Sequence, residues 1–269
     1  MVTIKHNTLQ IFADTTDLFH AAADHLLETV NTKTQSNDFF SLVLSGGNTP
    51  KAFFDLLANH EPYKSKVPWS KILFFFGDER YVPESDVASN YHMANQYLFS
   101  KLPIPQEHIF PIPTHFTDPD EAANTYADTL RKIFKLSPSE TPEFDLFYLG
   151  LGDNAHTASL MPATELVTSY SQSPIAADKQ LQLVTALWVE ALKMYRITLT
   201  PPIINNSKEI NFIVDGKNKA PAVQQVIEAK YQPEKYPAQL IHAKDGNTVW
   251  FLDQAAATQL TLATEPTNA

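Results

Sequence analysis

The chain has 269 residues, with 30 acidic against 20 basic side chains and a net charge of −10. That balance lacks the basic footprint of a nucleic-acid binder, although a few local cations could still hold a small anion. Cysteine is absent, which rules out disulfides, thiolate catalysis and thiolate metal sites.

In chain order, the apolar run Leu9–Phe12 predicts a strand and Asp17–Thr34 a helix. Phe39–Leu44 predicts a second strand. It is followed by Ser45-Gly46-Gly47-Asn48-Thr49-Pro50. Two glycines let the backbone approach a ligand, Thr49 is a candidate helix cap, and Pro50 suits a first helical position. The helix that follows, Pro50–Asn59, would aim its free N–H groups at an anion. A plain tight turn is the competing reading.

Ile72–Phe76 is apolar at every position, as expected of a strand covered on both faces. Gly77-Asp78-Glu79-Arg80-Tyr81 comes next, then Ser89-Asn90 at the start of a helical pattern, Ser89–Phe99. Arg80 offers a planar fork of donors that suits phosphate, with Asp78 and Glu79 holding the loop. The alternative is a solvated loop with a local ion pair. A short strand is expected at His108–Ile112, between prolines, and a helix at Glu121–Phe134.

Phe144–Leu149 predicts another strand, and Gly150-Leu151-Gly152-Asp153-Asn154-Ala155-His156-Thr157 follows it. Imidazole is the side chain best matched to proton transfer near neutral pH, and His156 lies beyond a buried strand. Strands are further expected at Leu183–Leu187, Tyr195–Leu199, Ile210–Val214, Ala238–Ile241 and Thr248–Leu252, and a helix at Ala220–Ala229. Lys219 stands just after the turn Asp215-Gly216. The tail 261–269 is polar and expected to fray. No run of about 18 apolar residues is present and no leader pattern is seen, so no membrane contact is expected and the cytoplasm is the default location.

This alternation predicts one α/β domain spanning the chain, with a small subdomain allowed. Its core would be a doubly wound, mostly parallel central sheet with helices on both faces. Ligands of such sheets sit beyond the carboxyl ends of the strands, where the turns above lie.

The blocks Ser45-Gly-Gly-Asn-Thr-Pro50, Asp78-Glu-Arg-Tyr-Val-Pro83, Leu149-Gly-Leu-Gly152, His156-Thr-Ala-Ser-Leu160, Arg196-Ile-Thr-Leu-Thr200 and Gly216-x-x-Lys219 occur in an order that resembles the 6-phosphogluconolactonase family. The resemblance covers roughly residues 42–229. It implies a fold related to sugar-phosphate isomerases and deaminases. The implied reaction is hydrolysis of 6-phospho-D-glucono-1,5-lactone to 6-phosphogluconate, the oxidative branch of the pentose phosphate pathway, with no cofactor and no metal. The partner it implies is a small sugar-phosphate lactone; oligomeric state stays open. By the same resemblance His156 is the general base. Gly46, Gly47, Asn48, Thr49, Arg80 and Lys219 bind phosphate, Arg196 binds substrate or braces the site, and Asp78, Asp153, Asn90 and Thr157 are candidate supports. The sequence departs from the family at one place. Asn154-Ala155 stands where Asp-Gly is usual, so Asn154 occupies the position of the carboxylate that orients the base. Asp153 is a candidate for the vacant role, and Ala155 costs roughly 1 kcal/mol if the turn needs a positive φ. Two alternatives remain at this point. An aminosugar-phosphate isomerase or deaminase would resemble a pattern with tyrosine in place of Arg80 and a glutamate after the histidine. A catalytically weakened sugar-phosphate-binding protein would retain the anion site beside an altered base.

Overall fold

The computed structural model describes residues 2–4, 7–172, 182–244 and 246–261. Its strands are β1 (Val2–Ile4), β2 (Asn7–Phe12), β3 (Phe40–Leu44), β4 (Ile72–Phe76), β5 (Asp78–Arg80), β6 (Ile109–Phe110), β7 (Leu146–Leu149), β8 (Val184–Val189), β9 (Met194–Leu199), β10 (Ile210–Val214) and β11 (Thr248–Asp253). The helices that matter for the site are α1 (Thr15–Lys33), α2 (Asn48–Asn59), α3 (Asn90–Tyr97), α4 (Pro119–Phe134) and α5 (Ala220–Ile227).

The main sheet has the order β1-β2-β11-β10-β7-β3-β4-β6. All its pairs are parallel except β1 with β2. From β3 the chain first builds outward through β4 to β6. It then returns to the other side of β3 with β7, and continues through β10 to β11. The direction of winding therefore reverses between β3 and β7. Loops leaving two such neighbours diverge and open a crevice at their carboxyl ends. The turns at Ser45–Asn48 and Gly150–His156 flank it.

Parallel strands with covered faces need apolar side chains on both sides. Phe74, Phe75 and Phe76 of β4 and every residue of β3 are buried. Each such phenylalanine contributes roughly 1.5–3 kcal/mol through burial. Tyr126 of α4 ties its helix to β4, accepting from the Phe76 N–H at 2.9 Å and donating to the Phe76 carbonyl at 3.1 Å. Helix α1 starts after Asp14, whose carboxylate accepts from the N–H groups of Thr16 and Asp17.

Several expectations change. Asp78–Arg80 is a strand, not a solvated loop. It joins β9 and β8 in a separate antiparallel sheet of order β5-β9-β8, so the two runs Leu183–Leu187 and Tyr195–Leu199 lie outside the main sheet. Ala238–Ile241 does not extend as a strand. It forms most of a 3₁₀ turn at Pro237–Leu240, because Pro237 lacks an N–H and the Ala238 N–H is taken by the carbonyl of Ala155. The run His108–Ile112 pairs only at Ile109–Phe110, where Pro111 cuts the ladder short. Helix α2 begins at Asn48 with Gly47 as its cap. Thr49 lies inside the first turn, and its hydroxyl donates to Asp215 instead of capping. The end of the tail, residues 262–269, lies outside the described residues. No helix among the described residues is long and apolar enough to cross a membrane.

Candidate active site

The crevice holds a cavity of about 510 Å³. Gly46, Gly47, Asn48 and Thr49 line it from the β3 turn, and Asp78 and Arg80 from β5. Asn90 enters from α3, His156 and Thr157 from the β7 turn, Arg196 from β9, and Lys219 from the segment before α5. Asp153 and Asn154 are outside that lining but contact residues within it.

On the β3 side, Gly47 has φ 116°, in the region that favours glycine, and it opens α2 toward the cavity. Gly46 is required by close approach, since a Cβ there would lie 1.7 Å from Oδ1 of Asn90. Asn90 is itself buried. Its Nδ2 donates to the Asp78 carbonyl at 2.9 Å and to Asp78 Oδ1 at 3.3 Å.

The strand β5 explains three charges in a row. Successive side chains alternate between faces. Asp78 turns to the cavity and accepts from Ser159 Oγ at 2.6 Å, and Arg196 Nη1 lies 3.9 Å from the same carboxylate oxygen. Glu79 points the other way and is 1% exposed. It accepts from the N–H groups of Arg80, Asn90 and Tyr91 and from Ser89 Oγ, so it fixes the start of α3 against β5. Burial raises its proton affinity, while those N–H donors oppose the shift. Arg80 again faces the cavity, with Nη1 donating to the Ala88 carbonyl at 2.6 Å. Arg80 and Arg196 are directly paired across β5 and β9, and both have a buried Nε with no hydrogen-bond partner among the described residues. Burial lowers the proton affinity of Arg196, but a guanidinium stays charged. Two adjacent cations with unused donors give this wall the chemistry to hold an anion.

The β7 turn carries the imidazole. Gly152 donates to the His156 carbonyl at 2.8 Å, and Ala155 N–H donates back to the Gly152 carbonyl at 2.9 Å. Ala155 has φ 61° with its methyl buried, so the turn does adopt the left-handed conformation at the position where alanine is strained. Nδ1 of His156 lies 2.5 Å from Oδ1 of Asn154. Asp153 does not reach the ring as a hydrogen-bond partner. Its Oδ1 accepts from Lys219 Nζ at 2.5 Å and from Asn218 Nδ2 at 3.1 Å, and the lysine holds its carboxyl below the usual range. Thr157 Oγ1 donates to the Gly150 carbonyl at 2.8 Å and stabilises the turn from within.

Burial is the largest influence on His156 and keeps its proton affinity below the ordinary 6.5. The charge of Asp78 opposes this, Arg196 and Lys219 add to it, and Asp153 opposes it again. That direction favours the neutral ring, the state a proton acceptor needs. Ser159 and Asp215 were missed in the sequence. Ser159 stands in the His-Thr-Ala-Ser block, where a small hydroxyl beside a candidate base was the available signal. Asp215 carried none beyond its place at a strand end.

A family model described as glucosamine-6-phosphate isomerases/6-phosphogluconolactonase matches residues 13–250. A 6-phosphogluconolactonase of Synechocystis sp. is 36% identical over 220 residues, which cover 82% of this chain and 84% of that protein. One of Nostoc sp. is 34% identical over 255 residues, 95% of this chain and 99% of the relative. The crystal structure of a 6-phosphogluconolactonase from Thermotoga maritima superposes with a TM-score of 0.74 at 27% identity, over 92% of this chain and 99% of that one. A monomeric glucosamine-6-phosphate deaminase, 18% identical with a TM-score of 0.71, shares the fold.

Proposed function

The chain belongs to the glucosamine-6-phosphate isomerase/6-phosphogluconolactonase family, and on that premise we propose that it hydrolyses 6-phospho-D-glucono-1,5-lactone to 6-phosphogluconate. The observation that carries this reading is the imidazole of His156, tethered at Nδ1 to Asn154, on a cavity that Arg80, Arg196 and Lys219 also line.

In this reading the substrate phosphate lies on the N–H groups of the Gly46-Gly47-Asn48-Thr49 turn, with Arg80 and Lys219 as counter-charges. Binding energy at that end orients the lactone at the other. Nε2 of neutral His156 takes a proton from water as the water oxygen forms a bond to the ring carbonyl carbon. The carbonyl electrons move onto oxygen, and Arg196 or main-chain N–H groups of the β7 turn stabilise the charge. As the carbonyl re-forms, the bond from that carbon to the ring oxygen breaks. The imidazolium returns its proton to the leaving oxygen, which becomes a hydroxyl, and the new carboxylic acid ionises. No covalent intermediate with the protein is needed, since a lactone is already an activated ester.

The test is a hydrolysis assay with lactone generated in situ by oxidation of glucose 6-phosphate, corrected for spontaneous opening. His156→Ala is expected to remove at least 99% of the catalysed rate, in line with loss of a general base, and to leave 6-phosphogluconate binding within about three-fold. A fully active His156→Ala variant would sink the assignment.

A further inference from the structure

We infer that Asn154 is a positioning residue which selects the reactive nitrogen of His156 without charging its surroundings, so the base works at lower pH than it would beside a carboxylate. The inference rests on the lactonase reading above and concerns how its base is tuned.

The orientation of the Asn154 amide follows from two contacts to one atom. The same side-chain atom lies 3.3 Å from the main-chain nitrogen of His156 and 2.5 Å from its Nδ1. A main-chain N–H only donates, so the atom it meets must be the amide oxygen, an acceptor. Nδ1 then must carry the ring proton and donate it. That leaves the lone pair on Nε2, which has no protein partner among the described residues. Asn154 therefore fixes the tautomer that a carboxylate would fix, with a neutral group.

The charges around the ring do not replace the missing one. Asp78 on β5 accepts from Ser159 and Asn90 and faces Arg196 on β9. Asp153, on the ring's own turn, is bound by Lys219 and Asn218. Arg80 and Asp215 also line the cavity, and Asp215 is held by Thr49. A second cleft borders Asn154 and His156 and brings Glu165 and Glu190 to its walls. Glu190 is engaged by Lys193 and by Nε1 of Trp188. Among the described residues no carboxylate hydrogen-bonds to the imidazole, and Asp78 and Asp153, the acidic groups that act on it, each face a cation. Asp78 and Asp153 oppose the effect of burial on the ring from a distance, and burial, with Arg196 and Lys219, outweighs them.

Asn154→Asp puts a charge at hydrogen-bond distance and should raise the proton affinity of the ring by about one pH unit or more. Asn154 is exposed, so the variant should fold, and a thermal melt checks this. Two measurements decide the matter. Titration of the His156 ring by NMR is expected to move upward by about one unit in Asn154→Asp. The acid limb of kcat/KM, measured from about pH 5 to 8.5 with spontaneous hydrolysis subtracted, should move with it. Well below both limbs that displacement is about a ten-fold loss relative to the parent. Asn154→Ala should lower the plateau with no upward move of the limb. Coincident ring titrations or coincident acid limbs in parent and Asn154→Asp would overturn the inference. Full activity in His156→Ala would instead overturn the lactonase base itself, so the two failures are distinct.

Discussion

Gly152 and His156 approach so closely that a Cβ at residue 152 would lie 2.0 Å from Nδ1 and 2.1 Å from Cε1 of the imidazole. The glycine is there to let the ring lie back across its own turn. With Ala155 in the left-handed backbone, Oδ1 of Asn154 meets Nδ1 of the ring. Position of the imidazole is thus set by the absence of one side chain and the presence of another.

Gly152→Ala is accordingly expected to push the ring out of place. A misplacement near 1 Å costs on the order of 10²-fold in rate, so kcat should fall at least ten-fold. Affinity for 6-phosphogluconate should stay within about three-fold, because the residues proposed to hold the phosphate lie on other elements. Parallel measurement of turnover and product binding checks this; equal losses in both would show that the whole cavity had collapsed.

Glu79 offers a test of stability separate from chemistry. Four donors converge on its buried carboxylate. Glu79→Ala leaves them without an acceptor and is expected to destabilise the fold by about 3 kcal/mol or more. Denaturant unfolding measures it. A change below about 1 kcal/mol would mean that water reaches these donors and that β5 and α3 are not held as described.

His25 of α1 pairs with Glu209, just before β10, and gives stability a pH dependence. Burial alone would lower the proton affinity of His25, but the hydrogen bond and charge of Glu209 outweigh it, with Glu28 adding, and the result lies above 6.5. The folded state therefore holds this proton more tightly than the unfolded chain. The contribution is fully present below about 6.5 and is lost as pH rises through the native value. His156 has the opposite sign. Held below 6.5, it subtracts stability only as pH falls beneath that value. Unfolding free energy should thus decline as pH rises above about 6.5, and His25→Gln should flatten that decline. A parent protein with no decline between about pH 6.5 and 8.5 would contradict the pairing.

Much of this was legible in the chain itself. Apolar runs such as Ile72–Phe76 declare covered strands because burial of both faces is a local property of composition. The glycine turns after β3 and β7, His156 and Lys219 stand where an α/β sheet presents its ligands, and the cavity brings these together with Arg80 and Arg196. The resemblance, with Gly usual at position 155, raised the question of a positive φ there, and Ala155 adopts one.

Partner choice was not legible. Asp153 and Asn154 are adjacent in sequence, yet one takes Lys219 and the other takes the imidazole. Ser159 reaches Asp78 across 81 positions. Asp78, Glu79 and Arg80 look like a solvated charge run until β9 pairs with them and sends alternate side chains to opposite faces. Amino-acid sequence by itself determined most strands of the main sheet, the longer helices and the turns between them, since hydrophobic period and backbone preference act over a few residues; β5 and the fate of Ala238–Ile241 escaped it. Only the tertiary structure decided which sheet each strand joined, which charges were buried, and that Lys219 takes Asp153 while Asn154 takes the imidazole, because each depends on groups brought together from distant parts of the chain.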